Sequence, residues 1–156
     1  MSRRNQIGMT SDEINAYLRS ASTMTLVSNG KDGFPHPMPM WFALDDDNTV
    51  YMTTFRKSQK VKNLQRNPRV TLMVESGEQY QQLKGLIIHA EVEFLDEVDA
   101  VQDIMFRVSV QRGDASADDE TQAKSGTKRS AEKRIGMKFK PQRIVSWDHG
   151  KLGGVY

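Results

Sequence analysis

Three prolines at alternate positions, Pro35, Pro37 and Pro39, constrain this chain more than any other feature. None of them has a backbone N–H. In an extended segment the N–H groups of residues two apart point to the same edge. All three missing donors therefore lie on one side, while His36, Met38 and Met40 keep theirs on the other. One edge of a strand over 34–43 cannot be fully paired in a ladder. Two readings of that edge stay open: an outer strand protected against aggregation by proline, or backbone left free to meet a planar ligand.

The surrounding sequence has the period of short strands. STMTLVS at 22–28 is rich in β-branched residues, and Asn29-Gly30-Lys31-Asp32-Gly33 is dense in turn formers, so a hairpin leads into the proline strand. Asp45-Asp46-Asp47-Asn48 is a turn before a third strand over 49–55. Further strands follow over 69–76 and 83–95, and a final one from Ile135 is interrupted at Pro141. Thr10 and Glu13 form a capping box ahead of Ile14, Tyr17 and Leu18, which predicts a helix over 11–20. Val98, Val101, Ile104, Met105 and Val108 predict a longer one over 96–111. Residues 112–134 carry almost no large apolar side chain and read as an exposed, mobile insertion with a fragment of helix near its end. At least five strands without regular strand–helix alternation point to an antiparallel sheet closed into a small barrel.

At 156 residues the chain fits one domain, 1–156. A hydrophobic content of 37% is enough for a core but lean, as in chains whose core is completed by a second subunit. No apolar run approaches the roughly 18 residues of a membrane helix, and no apolar stretch follows the basic pair Arg3-Arg4, so the expectation is a soluble, cytoplasmic protein without a membrane partner. The absence of cysteine removes disulfides, thiolate nucleophiles and iron–sulfur ligation together. His36, His89 and His149 are far apart and in no metal-ligand spacing, and no nucleophile elbow surrounds any serine. With 22 basic against 20 acidic residues, a general attraction to nucleic acid is not indicated either. Any catalysis is pushed onto a bound cofactor, for which the protein supplies position and electrostatics.

The stretch Arg56 to Arg69 is where such a group could be anchored. Arg56, Lys57, Lys60 and Lys62 cluster behind the third strand, Ser58 can cap a helix whose inward face is Val61 and Leu64, and Asn67-Pro68 stops it. A helix start with adjacent hydroxyl and ammonium groups makes a phosphate cradle without a glycine-rich loop. A solvated basic face on an amphipathic helix accounts for the same spacing.

Taken in order, TLVSNGKDGFPHPMPMWF, VYMTTFRKSQKVKNLQRNPRVTLMV and LKGLIIHAEVEFL resemble the pyridoxamine 5'-phosphate oxidase-like split β-barrels, in particular their flavin- and deazaflavin-dependent oxidoreductase branch. The helix with Asn-Leu and its closing Asn-Pro-Arg is the most specific part, and SWDHGKLGG looks like the tail of deazaflavin-type members. The resemblance implies a mainly β fold with flanking helices (α+β), an FMN-binding-like split barrel of antiparallel Greek-key type. It implies a homodimer with two cofactor sites at the interface, each taking F420, the first choice here, or FMN, and acting on a small-molecule substrate. The cofactor phosphate would meet Ser58 and Lys60, with Lys57 and Lys62 as neighbours. The ring would rest on Met38, Pro39, Met40, Thr53 and Thr54, and Trp147 would lie near it or in the core. Ser58 stands where many members carry a second basic residue, and the substrate signature of the true vitamin B6 oxidases is missing. A cofactor carrier without turnover, and a small barrel binding single-stranded nucleic acid, are the competing classes.

Overall fold

The computed structural model describes residues 3–154, and its twelve-residue strand β6 (Lys84–Leu95) organises the rest. One edge of β6 pairs with β5 (Arg69–Ser76). The other edge carries β8 (Arg143–Asp148) opposite residues 84–89 and β7 (Arg134–Phe139) opposite 92–95. Both run antiparallel to β6, so β7 and β8 are one line of chain. The predicted interruption at Pro141 is a bulge within it, where residues 140–142 stand against only 90 and 91.

Beyond β5 lie β1 (Thr23–Asn29) and then β2 (Pro35–Trp41). Beyond β7 lie β4 (Val50–Phe55) and then the two-residue β3 (Ala43–Leu44). The strand path is therefore β2-β1-β5-β6-β7-β4-β3, antiparallel throughout. Its two ends are the same piece of chain, because only Phe42 separates β2 from β3. The sheet curls back on itself there, and the result is a split β-barrel.

The prolines decide where it splits. In the β1–β2 hairpin Gly30 N donates to Phe34 O at 2.9 Å, which sets the phase of the ladder. Ser28–His36, Leu26–Met38 and Met24–Met40 are then the hydrogen-bonded pairs, and each proline falls between them with its carbonyl turned to the outer edge. From Pro35 to Pro39 that edge offers acceptors and no donors. It cannot zip onto β4, whose own edge is covered by β3 only at Val50 and Tyr51.

The barrel interior takes the alternate side chains Met24, Leu26, Leu72, Leu86, Ile88, Met52, Met137 and Phe139, all essentially inaccessible to solvent. Helix α1 (Arg3–Ile7) was not anticipated from the sequence; α2 (Ser11–Ser20) carries the predicted capping box and buries Leu18. Helix α4 (Val98–Gln111) lays Val101, Ile104 and Val108 against the β3–β4–β7 side. The polar segment holds a 3-10 turn (Ala117–Asp119) and two short helices, α5 (Glu120–Ser125) and α6 (Lys128–Ala131). They rest on α4 through Gln102, which donates to Lys124 O and Thr127 Oγ1, and through buried Ala131.

Helix α3 (Gln59–Arg66) is sewn to β1 by one fully buried amide. Asn63 Nδ2 donates to Ser28 Oγ at 3.1 Å, and Asn63 Oδ1 accepts from Gln59 Nε2 at 2.9 Å. Arg66 completes the seam by donating to Asn29 O. Asn63→Ala leaves Ser28 and Gln59 without that partner. It is expected to lower unfolding free energy by about 1–3 kcal/mol in urea titrations with the m-value unchanged; a loss below a few tenths would remove Asn63 from this role.

Candidate functional site

Between the outer edge of β2 and the uncovered end of β4 lies a cleft of about 440 Å³. Pro39, Met40 and Trp41 form one wall and Thr53, Thr54 and Phe55 the other, with Thr23, Val108 and Arg134 completing it. Four of the residues expected at a ring site, Pro39, Met40, Thr53 and Thr54, thus line a single space. Met38 does not: it is half-buried on the opposite face of β2 from the prolines, pairing with Leu26.

Thr54 connects the cleft to the basic helix start. Lys60 is only 8% exposed, and its Nζ donates to Thr54 Oγ1 at 3.1 Å. The Ser58 hydroxyl lies 3.4 Å from the same Thr54 oxygen. Ser58 occupies the N-cap position of α3, as expected, but its side chain caps no helix N–H because it is turned toward Thr54. The result is an ammonium and two hydroxyls beside an uncapped helix N-terminus, a donor set that matches a phosphate. Burial holds the Lys60 ammonium below its ordinary pKa, and no carboxylate pairs with it among the described residues.

Lys57 and Lys62 part company with this set. Lys62 is exposed and sits about 200° further round the helix than Lys60. Lys57 lines a second hollow, of about 550 Å³, with Phe55, Arg56, Glu132 and Lys133. Phe55 borders both hollows, and the second, with three basic residues and one acidic, forms a trough past the strand end. Trp147 lies elsewhere: it covers Gly85 on β6, where a Cβ would come within 2.4 Å of the indole. It stands on β8, four strand spacings or about 19 Å along the sheet from β2.

The whole-chain comparisons agree with this architecture. A family model for pyridoxamine 5'-phosphate oxidase matches residues 10–148. The chain belongs to that family. The conserved hypothetical protein Rv2991 of Mycobacterium tuberculosis is 32% identical, with a TM-score of 0.84 over 100% of this chain and 95% of the other. A structure described as an F420 reductase matches at 20% identity and TM-score 0.58, over 78% of this chain and 87% of the other. An FAD-binding protein of Mesorhizobium loti matches at 18% and 0.60, over 89% and 93%. No curated protein sequence matches this one.

Within this oxidase-family barrel, Thr23, Trp41, Phe55, Val108 and Arg134 also line the cleft and were not expected there from the sequence. Phe55 and Arg134 meet because β4 and β7 pair in register, and the guanidinium sits 4.4 Å from the ring centroid. Trp41 carries Arg112 at 3.6 Å. Both aromatics are more than half exposed, Trp41 at 56% and Phe55 at 54%. A large aromatic closing a strand, as in PMPMW and VYMTTF, was the available signal; their arginine partners lie about seventy to eighty residues away and leave none in local spacing.

Lys60 gives this family member a testable pH signature. Its folded-state pKa is depressed, so above that value the unfolded chain holds a proton the folded one has released, until both are neutral near 10.5. Stability should therefore rise with pH across that window. Urea midpoints measured from neutrality to pH 10.5 should show the rise, and Lys60→Met should flatten it while stabilising the protein at neutral pH. Parallel profiles would mean that the ammonium is not held away from water.

Proposed function

We propose that the protein is a homodimeric oxidoreductase that binds a flavin-type cofactor without a covalent link, F420 in preference to FMN, in the split between β2 and β4. The observation that carries this reading is that one cleft has Pro39 of the carbonyl-only edge on one wall and, on the other, Thr54, which holds a buried ammonium without a carboxylate partner among the described residues. A planar heterocycle with ring N–H groups complements the first, and its phosphate complements the second. When bound, the cofactor would exchange a hydride with a small organic substrate.

The chain's own residues then have separable tasks. Pro35, Pro37 and Pro39 keep the edge unpaired, Thr53 and Thr54 present the opposite wall, and Lys60 and Ser58 neutralise the phosphate. Lys57 and Lys133 stand in the trough beyond, where the acidic tail of F420 would run and where FMN has nothing to place. This favours the longer cofactor.

The proposed self-association fits the same assignment. The outer face of the half-sheet β2-β1-β5-β6-β8 carries a row of Pro39, Thr25, Met73, Ile87 and Val145, aligned by register and not buried by their own chain. A second copy facing it across a two-fold axis along the central strand β5 would set its β8 over β2. That arrangement brings Trp147 of the partner subunit toward Trp41 and the cleft, which a single chain cannot do.

Titration with F420 and with FMN, followed by absorbance and fluorescence, tests the reading together with the mass in solution. F420 should bind more tightly to a dimer. Lys60→Ala should weaken binding by ~1.5–3 kcal/mol, roughly 10- to 150-fold, without unfolding the chain. A monomer that takes up neither cofactor, or an affinity indifferent to Lys60, would sink it.

A further inference from the structure

We propose that Arg134 sets substrate choice. On this reading the cleft mouth takes a planar molecule bearing a carboxylate or similar oxyanion, with its ring beside Trp41 and Phe55 and its charge on the Arg134 guanidinium. The inference rests on the proposed cofactor occupying the floor of the same cleft, and goes beyond it by assigning a second anion.

Of the residues that line the cleft, Arg134 alone is charged. It is held by its Nε, which donates to Ser130 Oγ at 3.3 Å, and by the face of Phe55. No carboxylate lies within ion-pair distance of it among the described residues. A guanidinium has five donor hydrogens arranged as a fork, and here the two terminal nitrogens have no hydrogen-bonded partner among the described residues. Arg112 on the other rim is a control within the molecule. It stacks on Trp41 in the same way, yet Asp114 Oδ2 sits 3.0 Å from its Nη1 as a counter-charge. One rim has its cation paired and the other does not, among the described residues.

The cofactor phosphate does not explain the free charge. Thr54, which leads to Lys60, and Phe55, which carries Arg134, are consecutive residues of β4 and project from opposite faces of it. In the proposed pose the phosphate meets Lys60 on the inward, Thr54 side of β4, and Arg134 on the outward, Phe55 side is left for a second anion. In a largely apolar cleft an unpaired cation attracts an oxyanion more strongly than it would in water.

Two probes of one shape, 4-nitrobenzoate and 4-nitrobenzamide, separate charge from ring contact. They are titrated by calorimetry into the full-length protein, with and without F420 bound. The expected result is at least ten-fold tighter binding of the carboxylate, abolished in Arg134→Gln, partly recovered in Arg134→Lys, and retained in Arg112→Gln. F420 affinity should be the same in Arg134→Gln as in the unaltered protein. Equal or absent binding of the two probes, a preference that survives Arg134→Gln, or a loss of F420 affinity in that variant would overturn the assignment. Failure of the unaltered protein to bind F420 or FMN strikes instead at the proposed cofactor. The probe comparison on the unloaded protein is then still read by the same criteria.

Discussion

The missing N–H groups of Pro35, Pro37 and Pro39 are the constraint from which the rest of this structure follows. A seven-strand path that curls until its ends meet would ordinarily close by pairing them, because each unpaired backbone group left away from water costs about 1–3 kcal/mol. Here closure would recover at most half of the ladder along the β2 edge from Pro35 to Pro39, which has acceptors and no donors. The chain instead crosses from one end of the path to the other through Phe42, buried between them, and leaves an open seam. The cleft is what remains when a barrel is held shut covalently and prevented from zipping. It owes its existence to backbone chemistry and its shape to the curl of the sheet.

Helix α3 completes the seam by the opposite means. Its sequence is strongly polar, and only Lys60, Val61, Asn63 and Leu64 are buried. Val61 and Leu64 supply the apolar contact, Asn63 supplies a satisfied amide bridge to β1, and Lys60 supplies an ammonium with a single hydroxyl partner. A buried amide with several partners is stable in itself, whereas a buried ammonium with one is costly unless something anionic arrives. The family-typical Asn-Leu pair is thus explained by packing. The neighbouring lysine is the residue that packing does not explain, which is why it is the better marker of a ligand.

Most of the architecture could be read from period and punctuation. The hairpin at 29–33, the proline strand, the helix stopped by Asn67-Pro68 and the break at Pro141 are local features, and each sits in the structure where turn chemistry and alternation place it. Four of the nine residues that line the cleft were legible for the same reason, since Pro39, Met40, Thr53 and Thr54 lie on two strands whose faces are set by alternation. What stayed hidden depends on contacts distant in sequence. Arg134 meets Phe55 through a ladder that joins positions about eighty residues apart, and Trp147 stands far from the cleft because β8 pairs with β6 and not with β2. Lys57 and Lys62 were grouped with Lys60 by sequence, but Lys57 stands in the turn before α3 and lines the second hollow, while Lys62 is carried about 200° round the helix from Lys60. The polar run at 112–134 read as one loose segment because its helices are short and hold to α4 through a handful of polar contacts that no periodicity announces.

The period of two along β4 also bears on how a barrel this small could keep two anions apart. Thr54 faces the side of Lys60, and Phe55, one residue on, faces the side of Arg134. A single strand therefore stands between two cations, each without a carboxylate partner among the described residues, that would otherwise compete for whatever negative charge entered first. In the proposed function this separation matters more than the strength of either cation. A cofactor phosphate drawn to Arg134 would sit across the mouth, and a substrate anion drawn to Lys60 would occupy the floor. Burial of Lys60 and the aromatic stacking of Arg134 sharpen the difference, since a fully dehydrated phosphate oxygen suits a recessed ammonium and a planar carboxylate suits a forked guanidinium at the rim.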